Sequence, residues 1–288
     1  MKKNNEDTLY IAKTFAGLED VLAGELTSQG ADAVSKMKRA VSFRGDKRLL
    51  YTANLKLRTA LRILKPIFTC RAKDEDALYG QCKEFEWERL LDIEQTFAVD
   101  SVVFSEYFKH SKYAALKLKD AIADRFRQRV GKRPSVDTLN PGIRIHLHIS
   151  ADRINVSLDS SGDSLHKRGY RDTRHIAPMN EALAAGVLKV SNWTGTLPLI
   201  DPMCGSGTIP FEAAMLAAGI PPGIRRSTYG FMHWNDFDEQ LWREVREEAL
   251  AQARTPGVEI IAADASAKSL DIARSSAIRF GLNHLIKF

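Results

Sequence analysis

The stretch Leu199-Ile-Asp-Pro-Met-Cys-Gly-Ser-Gly-Thr208 leaves this chain few folds to choose from. Leu197, Leu199 and Ile200 read as the end of a buried strand, which Asp201 and Pro202 close. Gly205-Ser206-Gly207 makes a turn without side-chain bulk, so a ligand can approach the backbone closely. Thr208 to Ala218 then reads as a helix, with Ile209, Ala213, Leu216 and Ala217 spaced for one buried face. Such a unit points backbone N–H groups and a helix N-terminus at a ligand lying over the strand's carboxyl end. It is not a phosphate loop, because no Lys-Ser/Thr pair follows the glycines, and it is not a full G-x-G-x-x-G. On its own, a glycine turn suits any α/β domain. A second half-site narrows the reading. Val258-Glu-Ile-Ile-Ala-Ala263 is an apolar strand ending in Asp264, and a helix follows with Leu270, Ile272, Ala273, Ala277 and Phe280 inward and Gly281 as its stop. An acid at the end of the second strand is where nucleotide-binding α/β folds hold ribose hydroxyls.

Asp201-Pro202-Met203-Cys204-Gly205-Ser206-Gly207-Thr208, followed by Asp264, resembles the cofactor site of class I S-adenosylmethionine-dependent methyltransferases. In its detailed wording it is similar to the RNA methyltransferases that carry an N-terminal THUMP domain, an RNA-binding module. Leu165-His-Lys-Arg-Gly-Tyr-Arg171 and Ile176-Ala-Pro178 resemble the bacterial 23S rRNA guanine-N2 methyltransferases, a group also described as N6-adenine-specific DNA methylases. The resemblance implies S-adenosyl-L-methionine as cofactor, with Gly205, Ser206 and Gly207 at its methionine end, Asp264 on the ribose, Ala265 beside the adenine and Asp201 orienting the amino group. It implies a methyl transfer to the exocyclic N2 of a guanine in 23S ribosomal RNA. Cys204 reads as a small residue lining the turn, because methyl transfer to an amine needs no covalent enzyme intermediate. The family also carries an Asn/Asp-Pro-Pro-Tyr/Phe segment after its fourth core strand, which grips the target amine. No such segment lies between Met1 and Phe288. Catalytic residues therefore stay unassigned, and residues 1–288 are expected to be an incomplete catalytic domain that does not methylate alone. Two other classes stay open: an adenine-N6 DNA methyltransferase, and a non-catalytic RNA-binding or assembly protein.

Charge locates the second function. The chain carries +6 overall. Lys109, Lys112, Lys117, Lys119, Arg125, Arg127, Arg129, Lys132 and Arg133 face only Asp120 and Asp124, a segment of +7, so the rest sums to about −1. A concentrated excess of this kind is the footprint of a polyanion-binding face, although charge runs are often merely solvated. Arg168 and Tyr170, in the cationic and aromatic stretch before the core, are further candidate RNA contacts. His146 and His148 share one face of a strand but have no third ligand at suitable spacing, so no metal is expected. Cys70, Cys82 and Cys204 are scattered and form no C-x-x-C, which fits a reducing cytoplasm. No run approaches the roughly 20 apolar residues of a membrane span, and the N-terminal lysines precede no apolar core.

In order, the spacing predicts a strand over 9–15, a helix over 17–29, a strand over 41–44, a helix over 46–55 and a strand over 59–69 whose Pro66 marks an edge or an end. This reads as a ferredoxin-like α+β unit, residues 1–68. Residues 69–162 read as the THUMP domain: two short helices at 77–82 and 84–91, a strand over 97–104, a long helix over 112–130 with Leu118, Ile122, Phe126 and Val130 inward, and a hairpin of 143–149 with 154–158. Residues 163–288 read as the N-terminal part of a Rossmann-like methyltransferase domain, opening with a helix over 179–190 that Pro178 starts. Residues 220–256 interrupt it with arginines and aromatics, which suit either base stacking or, more commonly, pinning a loop to the protein.

Overall fold

The computed structural model describes residues 7–170 and 179–288. Arg171, Ile176-Ala-Pro178 and the proline start of the following helix lie outside the described residues.

The first half builds one sheet. Strands β1 (Thr8–Lys13), β2 (Asp32–Met37), β3 (Ala40–Gly45), β4 (Arg62–Arg71), β5 (Phe97–Phe104), β6 (Ile143–Ser150) and β7 (Arg153–Asp159) line up as β2-β3-β1-β4-β7-β6-β5. Only β5 and β6 run parallel. The expected division at residue 68 falls inside β4, which pairs with β1 through residues 62–64 and with β7 through residues 64–71. Pro66 was expected at an edge, but β4 is interior. The ring sits where the register slips between Pro66 and Phe68, and the β1 ladder has already ended. A missing N–H is tolerated at such a bulge. Strand β2 had no alternating pattern to announce it, because nearly all of its residues are exposed at the sheet edge.

Helices α1 (Glu19–Ser28), α2 (Lys47–Lys56), α3 (Glu75–Glu84) and α4 (Ser111–Val130) pack on one face of this sheet over a continuous apolar core. Asp46 and Asp74 start α2 and α3 by accepting the N–H of Leu49 and Ala77 at 2.8 and 2.7 Å, a standard side-chain cap. The inward row of α4 holds for Leu118, Ile122 and Phe126, whereas Val130 is half exposed at the helix end. Gly131 stops α4 in the left-handed conformation, at φ 74°. The opposite sheet face carries Arg144, His146 and His148. Burial first, and then Lys13, pull the His146 pKa down to about 4, so this ring is neutral near pH 7.

The second half holds α5 (Glu181–Val190), β8 (Leu199–Asp201), α6 (Thr208–Ala217), α7 (Glu239–Ala251), β9 (Ile260–Ala262) and α8 (Ala267–Phe280). Asn180 caps α5, accepting from the Ala182 N–H at 3.0 Å. β8 and β9 run parallel, and a bridge from Ile261 to Lys287 places β9 between two neighbours. A separate apolar core packs α6 and α8 against these strands.

Two features lock the halves together. The interrupting segment joins the core of the first half: Tyr51 of α2 stacks on Phe231 at 4.4 Å, and Trp242 meets Tyr229 and Phe231 edge-on at 5.3 Å each. Gly230 permits this, since a Cβ there would stand 2.2 Å from the Asp159 carbonyl oxygen. The other lock is polar and fully buried. Arg168 Nε donates to Glu212 Oε1 at 3.3 Å, and its two remaining nitrogens donate to the Leu165 and Arg58 carbonyls. Arg58 in turn donates to the Met215 and Ile220 carbonyls, at 3.1 and 2.7 Å. Glu25 of α1 accepts the Arg58 and Thr59 amides. Removing one partner of a buried pair strands the other charge out of water. Glu212→Ala is therefore expected to lower the unfolding free energy by about 3–5 kcal/mol in denaturant titration. A loss no larger than the ~1 kcal/mol of a surface pair would show that the seam is held otherwise.

Candidate functional site

The turn after β8 and the acid after β9 meet directly. The Gly205 N–H donates to Asp264 Oδ2 at 2.8 Å. Two backbone bonds square this contact: Ala263 N–H to the Asp201 carbonyl at 2.8 Å, and Cys204 N–H to the Ala263 carbonyl at 2.9 Å. Asp264 Oδ1 accepts the Ser266 N–H at 2.8 Å, while Ser266 caps α8 through Ser269. The carboxylate is thereby aimed across the ends of two adjacent parallel strands.

Glycine is required by conformation. Gly205 and Gly207 take φ of 54° and 87°, a region that side chains rarely adopt. A Cβ on Gly207 would also stand 2.9 Å from the Phe211 ring and 3.4 Å from Ala273. The turn is supported from beneath by Phe211, whose ring packs edge-on against Tyr170 at 5.1 Å, and Tyr170 also meets Phe280 at 5.5 Å. Tyr170 donates its hydroxyl to Glu212 at 3.0 Å, and burial, with Glu212 beside it, holds its pKa well above the usual phenol.

The electrostatics favour a cation. Asp201 accepts the Met203 N–H at 3.1 Å, and its carboxyl is held above the ordinary carboxylate range by burial and by the neighbouring Asp264. Burial, then Asp201 and Asp264, push the Cys204 thiol up to about 11, so it stays protonated and is no nucleophile. A ligand with a sulfonium and an ammonium would relieve the repulsion between the two acids, and the bare turn leaves it space. The donor set and cradle fit S-adenosylmethionine. Pro202 and Met203 are exposed at the mouth, Thr208 is buried as the first residue of α6, and Ala265 is exposed beside Asp264.

The candidate RNA contacts divide. Lys109, Lys112, Arg129, Lys132 and Arg133 are exposed and form no ion pair among the described residues. They sit at the two ends of α4, about 30 Å apart for a helix of this length. Arg127, Lys117 and Lys119 pair with Asp124, Asp76 and Asp120. Three expectations are corrected. Arg125 is buried against Glu88 at 2.7 Å, and Arg168 and Tyr170 are buried in the seam, so none of the three presents its side chain to RNA. Sequence reading passed over Glu212, although it is the only charge in the otherwise apolar α6, a signal that it needs an internal partner.

Three family profiles match the chain: an RlmL ferredoxin-like domain at residues 10–64, a THUMP domain at residues 72–159 and an RMKL-like methyltransferase domain at residues 168–288. Among solved structures the chain is similar to a Listeria monocytogenes protein described as a predicted N6-adenine-specific DNA methylase, with 30% identity over 98% of this chain and 74% of that one, TM-score 0.88. It is similar to a protein described as a methyltransferase and solved with SAH, with 30% identity over 100% of this chain and 75% of that one, TM-score 0.86. A Clostridium difficile protein described as a possible methylase matches with 30% identity over 98% and 75%, TM-score 0.87.

Asp264→Asn is expected to weaken S-adenosylmethionine binding at least about tenfold in isothermal titration, the loss of one good charge-assisted contact. The same titration should weaken as pH falls. Protonation removes the Asp201 charge that favours a cationic ligand, and the raised value starts this decline above the ~4 of a free aspartate. Affinity that is flat from pH 7 to 4.5, or unmoved by Asp264→Asn, would remove these acids from the cofactor site.

Proposed function

The chain belongs to the RMKL-like methyltransferase family that also carries THUMP and RlmL ferredoxin-like domains, and from that premise we propose that it serves methylation of the exocyclic N2 of a guanine in 23S ribosomal RNA, contributing the RNA grip and the methyl-donor site. The observation that supports the donor half is the 2.8 Å bond from Gly205 to Asp264, which brings the glycine turn and the acid after β9 together. Bound there, S-adenosylmethionine supplies an electrophilic methyl on sulfur, open to in-line attack by an amine. The chain's own residues bind and orient. Gly205, Ser206 and Gly207 line the methionine end, Asp264 takes the ribose hydroxyls, Ala265 borders the adenine, and Asp201 holds the amino group. Pro202, Met203, Cys204 and Thr208 complete the wall. Rate comes mainly from holding two reactants in line, and a base must leave its stack to reach the pocket.

The RNA half rests on the THUMP match and on the cations Lys109, Lys112, Arg129, Lys132 and Arg133. In this reading residues 1–68 support, residues 69–162 grip and residues 163–288 hold the donor. A DNA substrate would leave the THUMP unit without a role, yet the Listeria relative's description keeps adenine-N6 methylation as the second reading.

Two outcomes are expected. Deleting the gene should remove one N2-methylguanosine from 23S ribosomal RNA in nucleoside mass spectrometry, restored by the intact gene and not by an Asp264→Ala copy. Loss of N6-methyladenine from DNA instead would favour the second reading. Five phosphate contacts predict that RNA affinity drops roughly a hundredfold to several hundredfold between 50 and 200 mM salt. A slope near zero in a filter-binding series would exclude α4 as the RNA face.

A further inference from the structure

The basic stretch around α4 has a counterpart of opposite sign. Residues 74–94, which hold α3 and the short helical turn Trp87–Arg89, carry eight acids against Lys83 and Arg89, a net charge of −6. Part of this charge is answered internally. Asp76 and Glu88 pair with Lys117 and Arg125 of α4, and Asp74 caps α3. Glu84 forms no ion pair among the described residues, and Glu86 engages its exposed neighbour Arg89 at 2.7 Å. Glu84 and Glu86 line a groove of about 660 Å³. Its floor is apolar, made by Phe68 of β4, Phe85 and Leu90, all packed against the core. The Phe68 and Phe85 rings meet at 5.3 Å, and Phe85 stands edge-on to the buried Trp87 at 4.8 Å.

One position in the wall is a glycine that the chain itself does not call for. Gly80 lies inside α3, four residues before Glu84 and on the same face, whereas Leu78 and Cys82 point into the core. Its backbone is not left-handed, and a Cβ there would meet no atom within 4 Å. Glycine inside a helix is destabilising relative to alanine. Here it keeps the groove open beside the phenylalanine floor. The wall is fixed beforehand, because Gln81 donates to the Arg71 carbonyl of β4 at 3.0 Å. Gly80, Gln81, Glu84, Glu86 and Arg89 are all exposed, so a small molecule would not be enclosed as such sites require. Two carboxylates at the rim repel phosphate, which excludes RNA from this face. Phenylalanine faces beside carboxylates suit the opposite charge, a cation on an apolar stem.

We propose that this groove docks a Lys/Arg-rich segment of a second protein, with one large apolar side chain seated on Phe68, Phe85 and Leu90 and cations on either side meeting Glu84 and Glu86. The groove is larger than one side chain, which calls for a peptide segment and not a lone amine. Basic segments of this kind are what nucleic-acid-binding proteins present to phosphate. The unit thus has two faces of opposite sign, and the acidic one takes a basic protein while the cations at the ends of α4 stay free. The dock stands whether or not α4 binds RNA.

The test is fluorescence-anisotropy titration of the full chain with a labelled Lys-Arg-Lys-Trp-Lys-Arg-Lys peptide and with the same peptide carrying serine in place of tryptophan. The tryptophan peptide is expected to bind at least about tenfold more tightly, the scale of one seated anchor. Gly80→Leu fills the groove with a better helix former, so it should preserve or raise the melting temperature while weakening the tryptophan peptide at least about tenfold. Glu84→Lys should weaken both peptides about fivefold or more, the upper end for an exposed pair. Titration of each variant with S-adenosylmethionine is the control for folding and should match the parent. Equal affinity for the two peptides, or a folded Gly80→Leu variant that binds as the parent does, reduces the groove to diffuse charge attraction and overturns the proposal. So does a titration that shows no saturation by ~1 mM peptide. A parent chain that self-associates in sedimentation and becomes monomeric with Gly80→Leu overturns it in favour of a second copy of this chain.

Discussion

The pair Arg168–Glu212 constrains the chain more than any other contact. Both groups are removed from water, so each must be satisfied by geometry that leaves little latitude. The guanidinium meets three acceptors from three places: Glu212 of α6, the carbonyl of Leu165 in the linker, and the carbonyl of Arg58 between α2 and β4. Those segments cannot shift separately without leaving a charge unpartnered. Gly207 immediately precedes α6, so fixing α6 also fixes the cofactor turn. The Tyr170 ring, held by the same glutamate, supports Phe211 under that turn. One buried carboxylate thus links the first half to the support beneath the glycine turn.

Much of this arrangement was legible beforehand, and the reasons differ by region. The glycine turn and Asp264 could be read because their chemistry demands particular residue types at particular strand ends. Helix α4 and the β6–β7 hairpin could be read because their apolar spacing is regular. Strand β2 could not be, since an edge strand with exposed side chains carries no periodic signature. Pro66 misled for a related reason. The local rule that proline avoids interior strands is correct, but the bulge that excuses it is set by β7, about 90 residues further along the chain.

Arg125, Arg168 and Tyr170 show the limit of counting charge. A cation in sequence has the same formal charge whether it meets phosphate or an internal carboxylate. Glu88 and Glu212 decide the matter, and neither lies near its partner in the sequence. Glu212 did offer a clue, as the lone charge in an apolar helix. Buried pairs are better sought by asking which charges sit among residues that must be inside than by locating runs of one sign.

The segment with Tyr229, Phe231 and Trp242 completes the logic. Its rings lie against Tyr51 of the first half although the chain leaves α6 and returns to β9 of the second. An insertion that merely extended the donor domain would pack on that domain's own core. By crossing over, and by wedging Gly230 against the end of β7, it adds a second attachment far along the chain from Arg168. Two attachments oppose rotation where one would allow it. The separation between the α4 cations and the turn at 205–207 is therefore a property of the fold, not of a hinge. Under the proposed function, a rigid spacing of that kind would let a grip on one RNA feature determine which nucleotide comes within reach of the donor.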